Sequence, residues 1–471
     1  MKLFTKKRYL SWNKTYFFLG KPFLVKQKTA ARVDFSLFGF RIYQKNRGNT
    51  SACSSASVSL SQKQLARIRY SLRANENRKI DKNFKEDEKN KKITLLVPLS
   101  SLLSTSQRGI CRFGLNLLKA MEATGKIRID FLKDKDYKFD GEEFYKNHNI
   151  TSLDQLSDCS VYDFYFEPEL RSRLYMSVIA NNIQRASCAR YRVGLVHDLI
   201  PVIYSWEYAK GFARTEVALH NIVLADHIFT ISKCTANDVM NILDIPHDKI
   251  TVIYGASGSD IFSKDACEYD YEKRNNDLVT LLGGNFRKNV KGTIEAFSKA
   301  YLSGKLPKDA RLVFGTTFAD DKKNDYDEFI KEVPTKFPGI EIGKQIILQP
   351  DGYRPTDKEI ADWLQSCRAT IFASFYEGLG MPILESYAAN TPCIASNNSS
   401  VAEITATECQ CNPFDIDDIA AKIIEIYNSP ELCKKSLDFG KKLLAEKCNW
   451  EIVAAKVIAR LEEMMKPKEI L

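Results

Sequence analysis

Two glutamates eight positions apart, Glu377 and Glu385, bracket the sequence GLGMP within FASFYEGLGMPILESYAANTPCIAS, residues 372–396. The run reads as strand, loop, helix, strand. RATIFASF has the continuous apolar texture of a buried strand, which puts Glu377 just past its carboxyl end. Gly378, Leu379 and Gly380 let the backbone turn tightly and approach a ligand. Pro382 suits the first helical position. The free N–H groups around Gly380, Met381 and Ile383 then face an anion, aided by the helix dipole. Glu385 falls about one turn into the helix, on the loop side, where an acid favours a helix N-terminus without any ligand. That explanation covers Glu385 and leaves Glu377 unexplained on its loop. A phosphate-binding helix start flanked by two carboxylates suits a ligand with both phosphate and hydroxyls, such as a nucleotide sugar, because carboxylates accept hydrogen bonds from hydroxyls.

The elements that position these residues recur along the chain. From residue 92 onward ITLLVPLS, KIRIDFLK, VYDFYFE, RVGLVHDL, DHIFTIS and KITVIYGA are short apolar strands. Helical stretches lie between them, among them GICRFGLNLLKAMEA and CTANDVMNILDI. Such alternation predicts a parallel sheet covered on both faces. Residues 257–277 are polar and read as a linker. The rhythm then restarts with DLVTLLGGN, ARLVFGTT, KQIILQPDG, RATIFASF and TPCIASN. The expected organisation is an N-terminal Rossmann-like domain over 92–268, a C-terminal one over 278–448, and a terminal amphipathic helix in 449–471. Its apolar stripe is Ile452, Val453, Val457, Leu461 and Met465, and periodicity does not say which domain it covers. Ligands of such sheets bind outside the carboxyl ends of the strands, and two of them facing each other make a cleft.

The 471-residue chain carries a net charge of +10, which belongs to one end of it. Residues 1–90 hold 21 Lys and Arg against 6 Asp and Glu, a balance of +15, and the rest holds 48 against 53, a balance of −5. A mildly acidic body argues against nucleic acid as partner. The appendage, residues 1–91, shows no strong alternation of strands and helices. Residues 48–62 are Ser-rich, QLARIRYSLRANENRK reads as a basic helix, and a polar run closes the segment. It suits either a solvated, partly disordered tail or a contact with anionic lipid headgroups. The twelve cysteines are scattered, with one CxC at Cys409 and Cys411 and no CxxC. That spacing fits neither a metal site nor a disulfide framework, and it suits a reducing compartment. No apolar run reaches membrane-span length. The apolar start of the chain is interrupted by Asn13, Lys14, Gly20 and Lys21, unlike a signal peptide. The expectation is a cytoplasmic protein, peripheral at the inner face of the cell membrane if the appendage binds lipid.

The 372–396 stretch resembles the E-x7-E region of the retaining glycosyltransferases of family 4, which have the GT-B fold. LGGNFRKNVKGTIEAFSKA is similar to that family's donor-phosphate segment. LVHDLIPVIY and ADHIFTISKCTANDVMNIL resemble its N-terminal-domain landmarks, and STSQRGICRFGLNLLKAM its first loop and helix. The four landmarks occur in the family's order and span most of residues 92–471. The resemblance implies an α/β protein of GT-B type: two doubly wound Rossmann-like domains facing a cleft, here with a basic N-terminal appendage.

It also implies roles. Glu385 would bind the donor ribose. Glu377 would contact hydroxyls of the transferred sugar, beside the N–H groups of Gly378, Leu379, Gly380 and Met381. Lys288 and Arg287 would neutralise the departing diphosphate, on which negative charge develops; their other reading is a solvated basic helix entry. Where many relatives place an Arg after the strand glycine, this chain has Gly284, so Arg287 takes that charge or the diphosphate is held differently. His197 would contact the donor sugar near the scissile bond, its alternative being a core or capping histidine. Asp198 reads equally as a cap or an acceptor contact. Gly109 would be a close-approach glycine, and Glu403 a structural acid. DIDD at 415–418 reads as helix-start acids. The family implies no metal and no cofactor beyond the nucleotide-sugar substrate. The reaction would be retaining transfer of a hexose, with mannose suggested by the VHDLIP and GGNFRKN texture, to a surface-glycan or lipid-linked acceptor. A GT-B phosphorylase, a sugar-phosphate synthase and a catalytically silent scaffold are the alternatives.

Overall fold

The computed structural model describes the strand segments of residues 4–46 together with residues 92–99, 102, 109–133, 143–152, 162–170, 189–204, 219, 221–264, 266–281, 283, 285–315 and 323–466. The basic appendage differs from the sequence reading in its first half. β1 (Phe4–Tyr9), β2 (Asn13–Phe18), β3 (Lys21–Lys28), β4 (Arg32–Leu37) and β5 (Phe40–Asn46) form an antiparallel meander in that order. Runs such as TYFF, FLV and FRIY have the aromatic and β-branched content of strands. Lys and Arg scattered along all five dilute the two-residue period that normally announces them. The Ser-rich stretch and the expected basic helix lie outside the described residues.

Both doubly wound units are present. β6 (Ile93–Pro98), β7 (Ile127–Lys133), β8 (Asn149–Ser152), β9 (Tyr162–Glu167), β10 (Ala189–Val196), β11 (His227–Thr230) and β12 (Ile250–Val252) form a parallel sheet in the order β12-β11-β10-β9-β6-β7-β8. β13 (Asp277–Thr280), β14 (Arg311–Phe314), β15 (Ile346–Ile347), β16 (Ala369–Phe372), β17 (Cys393–Ser396) and β18 (Gln410–Cys411) form the second, in the order β15-β14-β13-β16-β17-β18. Their central strands are buried along their whole length, as in β6, β13, β16 and β17, because helices cover both faces. In each sheet the order reverses beside its first strand, between β6 and β9 and between β13 and β16. Loops leaving such a switch point diverge and open a crevice at the carboxyl ends.

The helices follow the apolar stripes. In the N-terminal domain α1 (Gly109–Ala123) buries Phe113, Leu117, Leu118 and Met121, and α2 (Lys233–Leu243) follows β11. The C-terminal domain carries α3 (Val290–Leu302), α4 (Lys323–Lys336), α5 (Asp357–Ser366), α6 (Met381–Ala388), α7 (Ile416–Asn428) and α8 (Pro430–Glu446). Asp415 caps α7 by accepting from the N–H groups of Asp417 and Asp418, the role read for the DIDD run.

The stretch read as a linker is docked on the C-terminal domain. Phe262 is fully buried with Ala361, Leu364 and Ala389, and the Arg274 guanidinium donates to the carbonyls of Leu364 and Asn390 at 2.8 and 3.0 Å. The terminal helix, α9 (Trp450–Met465), returns to the N-terminal domain and packs on α1. It buries Val453, Ala454, Val457, Ile458 and Leu461, and Trp450 Nε1 donates to the Ser257 carbonyl at 2.9 Å. Its stripe was legible from period alone; the surface it covers was not.

Candidate active site

Two loops at the β13–β16 switch point carry the charged residues. After β13 a tight turn over Phe286–Lys288 presents Arg287 and Lys288; the Asn285 side chain caps it by accepting from the Arg287 N–H. Asn289 follows in the left-handed conformation, φ 52°, and donates to the carbonyls of Ala373 and Pro413, both at 2.9 Å. The cation turn is thereby tied to the loop after β16. That loop answers with the Phe375 N–H, which donates to the Arg287 carbonyl at 2.7 Å. Glu377 is held from the other side: its N–H donates to Ser399 Oγ and its carbonyl accepts from Ser400 Oγ.

Between the loops the side chains meet. Lys288 Nζ donates to Glu377 Oε1 at 2.6 Å, and Arg287 pairs with Glu377 Oε2. Glu377 is buried, 7% exposed. Burial pushes its carboxyl up, and the Arg287 and Lys288 charges outweigh that and hold it at about 2. Burial, with the Arg287 charge beside it, lowers Lys288 against the pull of Glu377. One carboxylate thus pairs with two cations and leaves the cluster with one positive charge in excess.

The residues to which the sequence assigns donor or catalytic roles line one cavity of about 310 Å³ with a single exception. Gly109, His197, Arg287, Lys288, Glu377, Gly378, Leu379, Gly380 and Met381 all contribute, as does Asp198. Gly380 caps the start of α6 at φ 100°, a left-handed conformation that favours glycine. A Cβ on Gly378 would lie 2.4 Å from the His197 carbonyl oxygen, so this glycine lets the two domains touch. Gly109 is different: among the described residues a Cβ there would meet only Met381 Sδ at 3.8 Å, an ordinary contact. His197 stands at the edge of the cavity and is packed as a core residue. Its Nε2 is 3.0 Å from the Pro168 carbonyl while its ring meets Phe113 edge-on. Asp198 caps the turn that follows, accepting from the Ile200 N–H at 3.0 Å.

Glu385 is the exception. It is buried on α6 one turn beyond Met381, with its carboxylate beside Gly258 and Arg112. A Cβ on Gly258 would come within 2.8 Å of Glu385 Oε1. Burial pushes its carboxyl up to about 7, against the Arg112 charge, with Asp357 adding to the rise. Arg112, from α1, bridges to Asp357 of α5 at 2.9 Å, so this corner also joins the two domains.

Sequence reasoning missed the residues that close the cleft. Glu403 accepts from the N–H groups of Lys233 and Cys234, at 3.0 and 2.7 Å, capping α2 of the opposite domain. Its structural reading was right, and the domain it serves was not visible in the sequence. Tyr376 donates to Asp238 of α2. Neither residue has a local signal, because partners 138 to 170 positions apart share no helix face or strand register.

Residues 271–443 match the family described as glycosyl transferases group 1. The MMP alpha-(1->4)-mannosyltransferase of Mycolicibacterium hassiacum is 30% identical over 112 residues, 23% of this chain and 27% of the relative. The serotype-specific mannosyltransferase WbdA of Escherichia coli is 26% identical over 238 residues, 48% of this chain and 28% of the relative. The chain thus spans about a quarter of the length of these two relatives. Among solved structures, HepE of Anabaena in complex with UDP and glucose superposes with a TM-score of 0.56 at 12% identity, covering 79% of this chain and all of that one. The fold is that of GT-B proteins, and the sequence is similar to mannosyltransferases.

Proposed function

We propose that this chain, whose residues 271–443 match glycosyl transferases group 1, is a retaining hexosyltransferase that uses a nucleotide sugar. The observation that carries the reading is the Arg287–Lys288–Glu377 cluster at the switch point, facing a glycine-walled helix start across one cavity. Breaking the bond between sugar C1 and the diphosphate oxygen leaves charge on the diphosphate. Fixed cations and N–H groups already aimed at that place lower the barrier without reorganising. Glu377, freed as the diphosphate takes up the cations, accepts from hydroxyls of the transferred sugar. The acceptor hydroxyl bonds to C1 from the face the diphosphate leaves, and its proton passes to a departing diphosphate oxygen. Closure of the two domains excludes water from this exchange.

The mannosyltransferases among the relatives make mannose the first sugar to test and a surface glycan the first acceptor class. The fold neighbour solved with UDP and glucose puts a UDP sugar in the donor panel. The experiment incubates the protein with each nucleotide sugar, without acceptor, and follows nucleoside diphosphate release. Release from one donor is expected, with Glu377→Ala and Lys288→Ala each slower by about 100-fold, the scale for removing one group that stabilises developing charge. No release from any donor, and no nucleotide binding, would replace this reading with a silent scaffold.

A further inference from the structure

The loop that carries Glu377 is fastened to the opposite domain by the residue just before it. Tyr376 Oη lies 2.8 and 3.0 Å from the two carboxylate oxygens of Asp238, on α2 of the N-terminal domain. The Sγ of Cys234, one turn earlier on α2, is 3.1 Å from the same hydroxyl. At its other end Tyr376 faces the cations: its carbonyl accepts from Arg287 Nη1 at 3.1 Å, and Arg287 pairs in turn with Glu377. One residue therefore holds the far domain through its side chain and a cation through its backbone.

Helix α2 is bound to the C-terminal domain at two further points, one on the turn after β17 and one on the loop that carries Glu377. Glu403 caps its first turn, and Tyr254 donates to that carboxylate at 3.1 Å. Thr235 Oγ1 lies 3.4 Å from the Gly378 carbonyl. A rotation that opens the cleft must draw α2 away from residues 375–380 and break the phenol–carboxylate bond.

We infer that Tyr376 and Asp238 form a cross-domain latch that positions Arg287 and Glu377 when the two domains close. They are positioning residues, acting on the reacting groups through the loop backbone. The inference rests on reading the cleft as the donor site. Burial beside Asp238 raises the Tyr376 phenol far above its usual value, so it remains a donor at every working pH. Burial pushes Asp238 up to about 7 against the Tyr376 hydrogen bond, and either form of the carboxyl keeps an acceptor oxygen. A buried hydrogen bond to a charged group is among the stronger ones, and removing one partner leaves the other unsatisfied.

The test uses the full chain with Tyr376→Phe, Asp238→Ala, Asp238→Asn and the double variant Tyr376→Phe/Asp238→Ala. Hydrogen exchange without ligand follows peptides over residues 233–243 and 373–380. Acceptor-free nucleoside diphosphate release gives kcat and KM. The latch predicts about tenfold faster exchange in both peptides for Tyr376→Phe and for Asp238→Ala, with a similar fall in kcat and a smaller change in KM. The double variant should be no worse than either single one, because both remove the same bond. Asp238→Asn keeps an acceptor oxygen and should stay close to wild type. Unchanged exchange over 233–243 in Tyr376→Phe, multiplying effects in the double variant, or Asp238→Asn as impaired as Asp238→Ala would each overturn the latch. If the wild type turns over no donor, the reading of the cleft fails and the exchange arms still decide the latch.

Discussion

Glu377 and Glu385 stand eight residues apart in one motif, and the fold gives them opposite electrostatic settings. Glu377 faces two cations and stays ionised to about pH 2. Glu385 is buried beside Gly258, with Arg112 only partly compensating, and titrates near 7. The sign of the second effect is testable. A carboxyl whose folded value is raised stabilises the fold most when neutral, so its contribution is full below the ordinary value near 4.5 and falls as pH rises to about 7. Gln at this position removes that dependence and still accepts from the Gly258 N–H. Glu385→Gln should therefore gain on wild type between pH 5 and pH 8 by roughly 2–3 kcal/mol, read as a widening difference in melting temperature. A difference that does not change with pH would show that the carboxyl is not held neutral. If donor ribose hydroxyls bond to Glu385, nucleoside diphosphate should also tighten over that range in wild type and less in the variant.

At the scale of elements, the loop between β16 and α6 works by backbone approach. Gly378 sits against the His197 carbonyl with no room for a Cβ. Gly378→Ala should keep both domains folded, since the clash lies across the cleft and disappears when it opens. Closure would then be disfavoured by the roughly 1–3 kcal/mol typical of overpacking, about fivefold to 150-fold in transfer rate. Equilibrium binding of nucleoside diphosphate to the C-terminal domain should change far less. Loss of binding as large as the loss of rate would instead mean that Gly378 serves the donor directly. Such elements were legible in part. The apolar texture of RATIFASF and the glycines after it predict a strand and a tight turn, and both are present. The helix start places Gly380 and Met381 in the cavity as read, whereas Glu385, one turn further along the helix, meets Gly258 and Arg112 instead. The short period of a single turn of helix could not say which side faces solvent, ligand or neighbouring domain.

At the scale of the molecule, α9 and the docked 257–277 segment tie the domains together away from the cleft, and α2 ties them at its edge. The remaining large feature is the basic end of the chain, with a balance of +15 over residues 1–90. Among the described residues no helix is long and apolar enough to cross a membrane. A peripheral contact by this end would be electrostatic, and thus weakened by salt. The full chain should sediment with phosphatidylglycerol vesicles at low ionic strength and be released as salt is added, and a variant lacking residues 1–90 should stay in the supernatant. Equal sedimentation of the two would remove the appendage from any lipid role.

Local pattern was sufficient for the two parallel sheets, their cleft and the position of Glu377 at a strand end, because burial on both faces writes itself into short apolar runs and glycine into tight turns. It failed at β1–β5, where lysines and arginines interrupt the strand period. Which charges meet was a matter for the tertiary structure alone. Glu377 with Arg287 and Lys288 is a contact across about ninety residues, and Tyr376 with Asp238 across 138. Such pairs leave no periodic trace, since their geometry is created only when strand order reverses and two domains come together. For the same reason the raised carboxyl of Glu385 and the choice of α1 as the seat of α9 belong to the folded molecule, where burial and neighbouring charge are set by packing between distant segments.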